Sequence, residues 1–267
     1  MRFWKITGPE NQSDYEHSYI NGGLEHPFGL PGVKCDICGS IWGGGRILAY
    51  DCPTSFRNQK HIIERWPISR QDHEALQNTL MKALSIQGQP FSALRPGDSF
   101  QPSYLDVPSR PTSDFLWSSL GSLVVSERIK DVLSKECQND ISVCAVNLRK
   151  VGERDSTLEP PMPPTGEPED IIEEVPLSRN PSNYGPYFEI LINNESELPD
   201  GVNDLSICPG CHRPQFDGSK RRFRMKVDMW KGHTVFFLAT TLYIIATDDL
   251  KKKLVELKPT NVNFIEI

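Results

Sequence analysis

The chain has 267 residues, 37% of them hydrophobic, with 29 basic and 35 acidic side chains and a formal charge of −6. That length accommodates one large domain or two small ones with a real core, and the acidic balance disfavours a nucleic-acid binder that works by neutralising phosphates. The most apolar stretch, Val235 to Ala246, is too short for the ~20 residues of a membrane-spanning helix, so no membrane partner is expected.

In chain order, Met1 to Ile6 alternates like a short strand and lacks the ~7–15-residue apolar core of an export signal. A cytoplasmic location is the expectation. Arg46 to Ala49 reads as a strand from its aliphatic content. Ser69-Arg70-Gln71-Asp72 has the form of a helix start, and Leu76, Leu80, Met81 and Leu84 follow on one face, which predicts a helix over 70–86. Five prolines between Pro90 and Pro111 mark a first seam, and eight between Pro160 and Pro186 a second. The second seam also carries Glu167, Glu169, Asp170, Glu173 and Glu174, the composition of a solvated loop. Tyr187 to Ile192 reads as another strand.

Phe115 to Leu148 and Phe236 to Ile267 align without a gap at an offset of 121 residues. Leu123-Val124-Val125-Ser126-Glu127-Arg128 faces Ile244-Ile245-Ala246-Thr247-Asp248-Asp249, and Lys130 faces Lys251. In both copies an apolar strand runs into Ser or Thr as a helix N-cap, with acids in the first turn where the helix dipole favours them. A helix of about nine residues and a second strand follow. The expected fold is α+β: two related β-α-β-type halves packed as one globule and bridged by a pair of CxxC zinc knuckles. Residues 1–152 form the first half, with an inserted helix, residues 153–183 the acidic loop, and residues 184–267 the second half.

Seven cysteines remain. Cys35-Asp36-Ile37-Cys38 and Cys208-Pro209-Gly210-Cys211 are C-x-x-C pairs, and an odd count without an export signal argues for metal ligands rather than a disulfide scaffold. Each pair offers two thiolates from one tight turn, and Gly39 suits that turn. A duplication would bring the pairs together, so Cys35, Cys38, Cys208 and Cys211 are the expected ligands of one structural zinc ion. Separate sites with other ligands, or packed thiols without metal, are the alternatives. Redox chemistry is disfavoured because Gly39, Gly43-Gly44-Gly45 and Pro214 follow the pairs where a helix would be needed. Cys208-Pro209-Gly210-Cys211-His212 matches a haem-attachment motif, but that attachment takes place outside the cytoplasm. Lys220-Arg221-Arg222-Phe223-Arg224 is the basic patch a zinc-ribbon nucleic-acid binder would use, and reads as a solvated hairpin in an acidic chain. The three glycines match no phosphate-binding pattern and read as a turn after the knuckle. His61 and His73 flank the helix without a nucleophile partner. Cys52, Cys137 and Cys144 read as packing residues. No catalytic constellation emerges, so no enzyme is expected.

The ordered set of Cys35-x-x-Cys38-Gly39, Leu94-Arg95-Pro96-Gly97, Asp114-Phe115-Leu116-Trp117, Val124-Val125-Ser126-Glu127-Arg128, Cys208-x-x-Cys211 and the last strand–helix–strand unit resembles the double-CXXCG motif paralogous family of myxobacteria. His212 stands where the second motif has glycine. Some members of that family look like immunity proteins of Sit toxin–immunity loci. The resemblance implies a non-enzymatic protein that binds and neutralises a cognate toxin. The acidic residues Glu167 to Glu174 are the candidate contact for a toxin with a basic cleft. A zinc-ribbon nucleic-acid-binding regulator, or an adaptor for a signalling or motility protein, are the alternatives.

Overall fold

The computed structural model describes residues 1–9, 20–43, 46–57, 66–86, 94–118, 122–152, 179–197, 206–209, 211, 214–215, 225–239 and 241–267. The chain is a mixed α+β protein. Its α-helices among the described residues are α1 (Thr54–Arg57), α2 (Arg70–Ile86), α3 (Glu127–Glu136) and α4 (Asp248–Glu256). Two main sheets are built from β1 (Phe3–Thr7), β2 (Ile20–Glu25), β3 (Ser103–Val107), β4 (Phe115–Ser118), β5 (Leu123–Ser126), β6 (Ile141–Val151), β7 (Tyr187–Ile192), β8 (Val235–Phe237), β9 (Ile244–Thr247) and β10 (Asn263–Glu266). None of these helices is long and apolar enough to cross a membrane.

The helix expected over 70–86 is α2. Ser69 caps it: its Oγ accepts the Asp72 amide at 3.0 Å and donates to the Asp72 carboxylate at 2.8 Å. The stripe Leu76, Leu80 and Leu84 packs on Leu30, Leu48, Phe56, Leu94 and Phe100, a core separate from the main one. The strand expected at Arg46 to Ala49 runs from Ile47 to Asp51.

One sheet closes on itself. Six of its seven strands run in the order β6-β7-β5-β4-β2-β3, and the seventh, Arg179–Pro181, pairs with the end of β6. Strand β3 returns to β6 as a parallel partner from Ser103↔Val146 to Val107↔Lys150, giving a six-stranded barrel. Alternation along the strands puts Leu24, Leu105, Leu116, Val124, Val146, Leu148 and Tyr187 into one interior cluster. The second sheet is open and antiparallel throughout, in the order β8-β9-β1-β10.

The barrel contains the run β4-β5-β7-β6, which has the same plan as the open sheet. In each run a hairpin leads into a helix, and the strand after that helix lies two places away, with a strand from elsewhere in sequence between. Leu123 lies opposite Ile190 and Ile190 opposite Val143. Likewise Ile244 lies opposite Ile6 and Ile6 opposite Phe264. Both flanking pairs, Leu123/Ile244 and Val143/Phe264, are separated by 121 residues. The gapless alignment slips at the first strand. Val125 pairs with Phe115, but Ala246 pairs with Val235 rather than Phe236. Facing explains the slip: Phe115 and Val235 both enter the shared core, whereas Phe236 turns to the opposite side.

β1 therefore lies in the sheet of the chain's second part, and β7 in the sheet of its first. Between the sheets, α3 and α4 bury Ile129, Leu133, Leu250 and Leu254 in a cluster with Ile6, Leu123, Ile190 and Ile244. The helices also meet directly, where Arg128 donates to the Leu257 carbonyl at 2.8 Å and Lys253 pairs with Glu136.

Two buried carboxylates tie the parts together. Asp114 accepts from Ser126 Oγ at 2.9 Å, Arg128 Nε at 2.6 Å and the Thr260 amide at 2.9 Å. Asp140 accepts from His233 Nδ1 at 2.9 Å, the Thr234 amide at 2.7 Å and Asn194 Nδ2 at 2.9 Å. Ser126 and Thr247 stand at the expected N-cap positions and differ in use. Thr247 accepts the Leu250 amide, while the Ser126 hydroxyl binds Asp114 instead.

Candidate metal centre

Each C-x-x-C sits at the tip of a two-stranded hairpin. Val33–Lys34 pairs with Ile41–Trp42, and Ser206–Ile207 pairs with Pro214–Gln215. The registers match. The residue before the first cysteine, Lys34 or Ile207, lies opposite the third residue after the second, Ile41 or Pro214. In the first hairpin the Cys35 amide donates to the Ser40 carbonyl and the Gly39 amide to the Cys35 carbonyl, both at 2.9 Å. Gly39 has φ +70, a conformation that costs other residues roughly 1–2 kcal/mol. Gly43 lets the chain pass beneath Trp66, whose ring would lie 2.9 Å from an added Cβ. The fully buried Asp98 joins the segments on either side of this hairpin, accepting from Arg46 Nε at 2.9 Å while its carbonyl takes the Leu30 amide at 2.7 Å.

The two hairpins converge. Sγ of Cys35 lies 3.8 Å from Sγ of Cys208, and Sγ of Cys38 lies 3.9 Å from Sγ of Cys211. All four sulfurs are within 4.8 Å of one another. These separations exceed the ~2.05 Å of a disulfide. The separations of 3.8 and 3.9 Å match the edge of a tetrahedron with metal–sulfur bonds of about 2.3 Å, which is about 3.8 Å. Cys35 and Cys208 are buried, Cys38 and Cys211 half-buried. The Ser40 amide and then its hydroxyl hold the Cys38 thiol down at about 6, which favours the thiolate a metal needs. The four cysteines can hold a metal ion.

The other cysteines contrast with them. Burial pushes the thiols of Cys52 and Cys144 up to about 11 and that of Cys137 to about 12. They are 3%, 9% and 1% exposed respectively and behave as small apolar side chains. His73 is buried on α2, where desolvation lowers its pKa. His61, Gly44, Gly45, Gly210, His212, the basic cluster Lys220 to Arg224 and the acidic residues Glu167 to Glu174 lie outside the described residues.

Sequence reasoning missed Ser40, whose part depends on the turn closing, and the pair His26–Glu189. Glu189 stands opposite Val124 on the barrel's inner face, with both carboxylate oxygens 3.0 Å from His26 Nε2. The two side chains are 5% and 1% exposed, an acid–base pair closed off from solvent. No signal in the sequence links positions 163 residues apart. No protein-family model, curated protein or solved structure matches the chain.

Proposed function

We propose that the protein is a non-catalytic binding module: an immunity protein of the double-CXXCG type that occupies and neutralises a cognate toxin in the cytoplasm. In this reading one structural zinc ion holds its scaffold. The observation that carries it is the pairing of Cys35 with Cys208 and Cys38 with Cys211 at tetrahedral edge lengths. Soft thiolates in that arrangement suit zinc. Four protein ligands fill a tetrahedral shell and leave no position for water or substrate, so the ion would join chain segments rather than carry out chemistry.

The same reading treats the two four-strand runs as copies of one unit, with the knuckles bridging them. Their common strand order, the 121-residue offset of their flanking strands and the matched knuckle registers support this. Glu167, Glu169, Asp170, Glu173 and Glu174 are the proposed toxin contact, with charge complementarity speeding association.

The test is rescue. A toxin-coding gene should lie beside this one, and cells expressing that toxin should survive when this protein is present and die with a paralogue from another locus. Death in both cases, or salt-dependent binding of DNA or RNA through Lys220 to Arg224, overturns the proposal.

A further inference from the structure

β1 and β7 fill equivalent grooves. Removing β7 would leave β5 and β6 facing each other across a gap one strand wide, and removing β1 would leave the same gap between β9 and β10. The two filling strands share a pattern in register: Tyr187 matches Phe3, Phe188 matches Trp4, Glu189 matches Lys5 and Ile190 matches Ile6. Each is aromatic, aromatic, charged, isoleucine. The grooves read that pattern with equivalent groups. Lys130 Nζ lies 4.7 Å from the Phe188 ring centroid, and Lys251 Nζ lies 4.0 Å from that of Trp4. The two lysines are 121 residues apart, so each helix places its ammonium over the second aromatic of the strand beneath it.

We propose that the groove between β9 and β10 is a strand-acceptor site for an extended peptide of this pattern. The chain fills it with its own Phe3–Thr7, and it accepts the same segment supplied in trans. Backbone pairing on both edges gives affinity and direction, from Phe3–Ile6 against Thr247–Ile244 and from Trp4–Thr7 against Glu266–Asn263. Side chains give specificity. Phe3, 2% exposed, sits with Met225, Met229, Phe236 and Ile245, its ring 6.0 Å from that of Phe236. Ile6, 3% exposed, enters the shared core from the other face. The Trp4 indole N–H donates to Asp248 at 2.9 Å, beside Lys251. The inference is independent of the metal and of any toxin.

The test uses the full chain with a protease site inserted between Pro9 and Ile20, cut after folding so that no truncated chain has to fold. The released segment should stay with the protein through gel filtration. Excess fluorescent peptide of residues 1–9 should replace it, with the Trp4→Ala peptide several-fold weaker and the Ile6→Asp peptide at least tenfold weaker. Loss of the segment on cutting with an unchanged thermal midpoint overturns the proposal, as does equal binding of the Ile6→Asp and unmodified peptides.

Discussion

Cys35 and Cys208 place their sulfurs 3.8 Å apart across 173 residues of chain. A metal ion there would fasten segments that the sequence keeps far apart, so its binding energy would be folding energy. Purified protein should carry about one zinc ion per chain, and chelation should lower the thermal midpoint. Cys208→Ser should lower it by about 5 °C or more, because one lost ligand leaves three thiolates around an incomplete shell. A metal-free protein whose midpoint ignores chelator and substitution alike would contradict a structural ion.

Thiol reactivity should sort the cysteines into two groups. At pH 8 the folded, metal-loaded protein should take up no alkylating reagent quickly. After chelation Cys38 should react first, since its thiol is held at about 6 and it is half-buried. Cys52, Cys137 and Cys144, pushed up to between about 11 and about 12, should stay unmodified until the chain unfolds. Peptide mapping by mass spectrometry reads this directly. Early labelling of Cys137 would show that its burial is not maintained in solution.

What the sequence disclosed and what it hid divide along one physical line. The bounds of α2 were legible because the Ser69 cap and the Leu76, Leu80, Leu84 stripe are local features. The two C-x-x-C turns were legible for the same reason, as was the Thr247 cap before α4, whereas Ser126 stands at the N-cap position of α3 but spends its hydroxyl on Asp114. The barrel was not, because its closure joins Ser103–Val107 to Val146–Lys150 in parallel, and such pairing has no local signature. The exchange of β1 and β7 was hidden too. Four residues are a short match, and its third position carries Lys5 in one strand and Glu189 in the other. Lys5 lies over the Tyr243 ring, while Glu189 is buried against His26. The one-residue slip at Val235 escaped because Val-Phe-Phe offers an apolar residue in either register.

Leu133 and Leu254 hold equivalent places on α3 and α4, 1% and 0% exposed in the same core. Leu133→Ala and Leu254→Ala should each cost about 2–5 kcal/mol, through lost transfer energy and the cavity left behind. Because one cluster contains both, the double variant should depart from additivity by roughly 0.5 kcal/mol or more. Urea denaturation of the four proteins measures this. Strict additivity would mean that the two leucines share no packing partner within that core.

Asp114 makes a prediction about acid. Although burial opposes its charge, hydrogen bonds from Arg128, the Thr260 amide and Ser126 hold its carboxyl at about 2, against an ordinary 3.8. A carboxyl depressed in the folded state stabilises above its unfolded pKa, and that stability is lost as the pH falls through the folded one. Asp114 should therefore contribute roughly 2 kcal/mol at neutral pH, declining between about pH 4 and about pH 2. Asp114→Asn keeps the shape, removes the charge and turns an acceptor toward donors. It should be destabilised by at least that amount at pH 7, with the gap to the wild type narrowing below pH 4. Denaturation at pH 7, 4 and 3 separates the outcomes. A gap that stays constant with pH would show that the loss comes from the amide donor facing other donors, and that the charge of the Asp114–Arg128 pair contributes nothing.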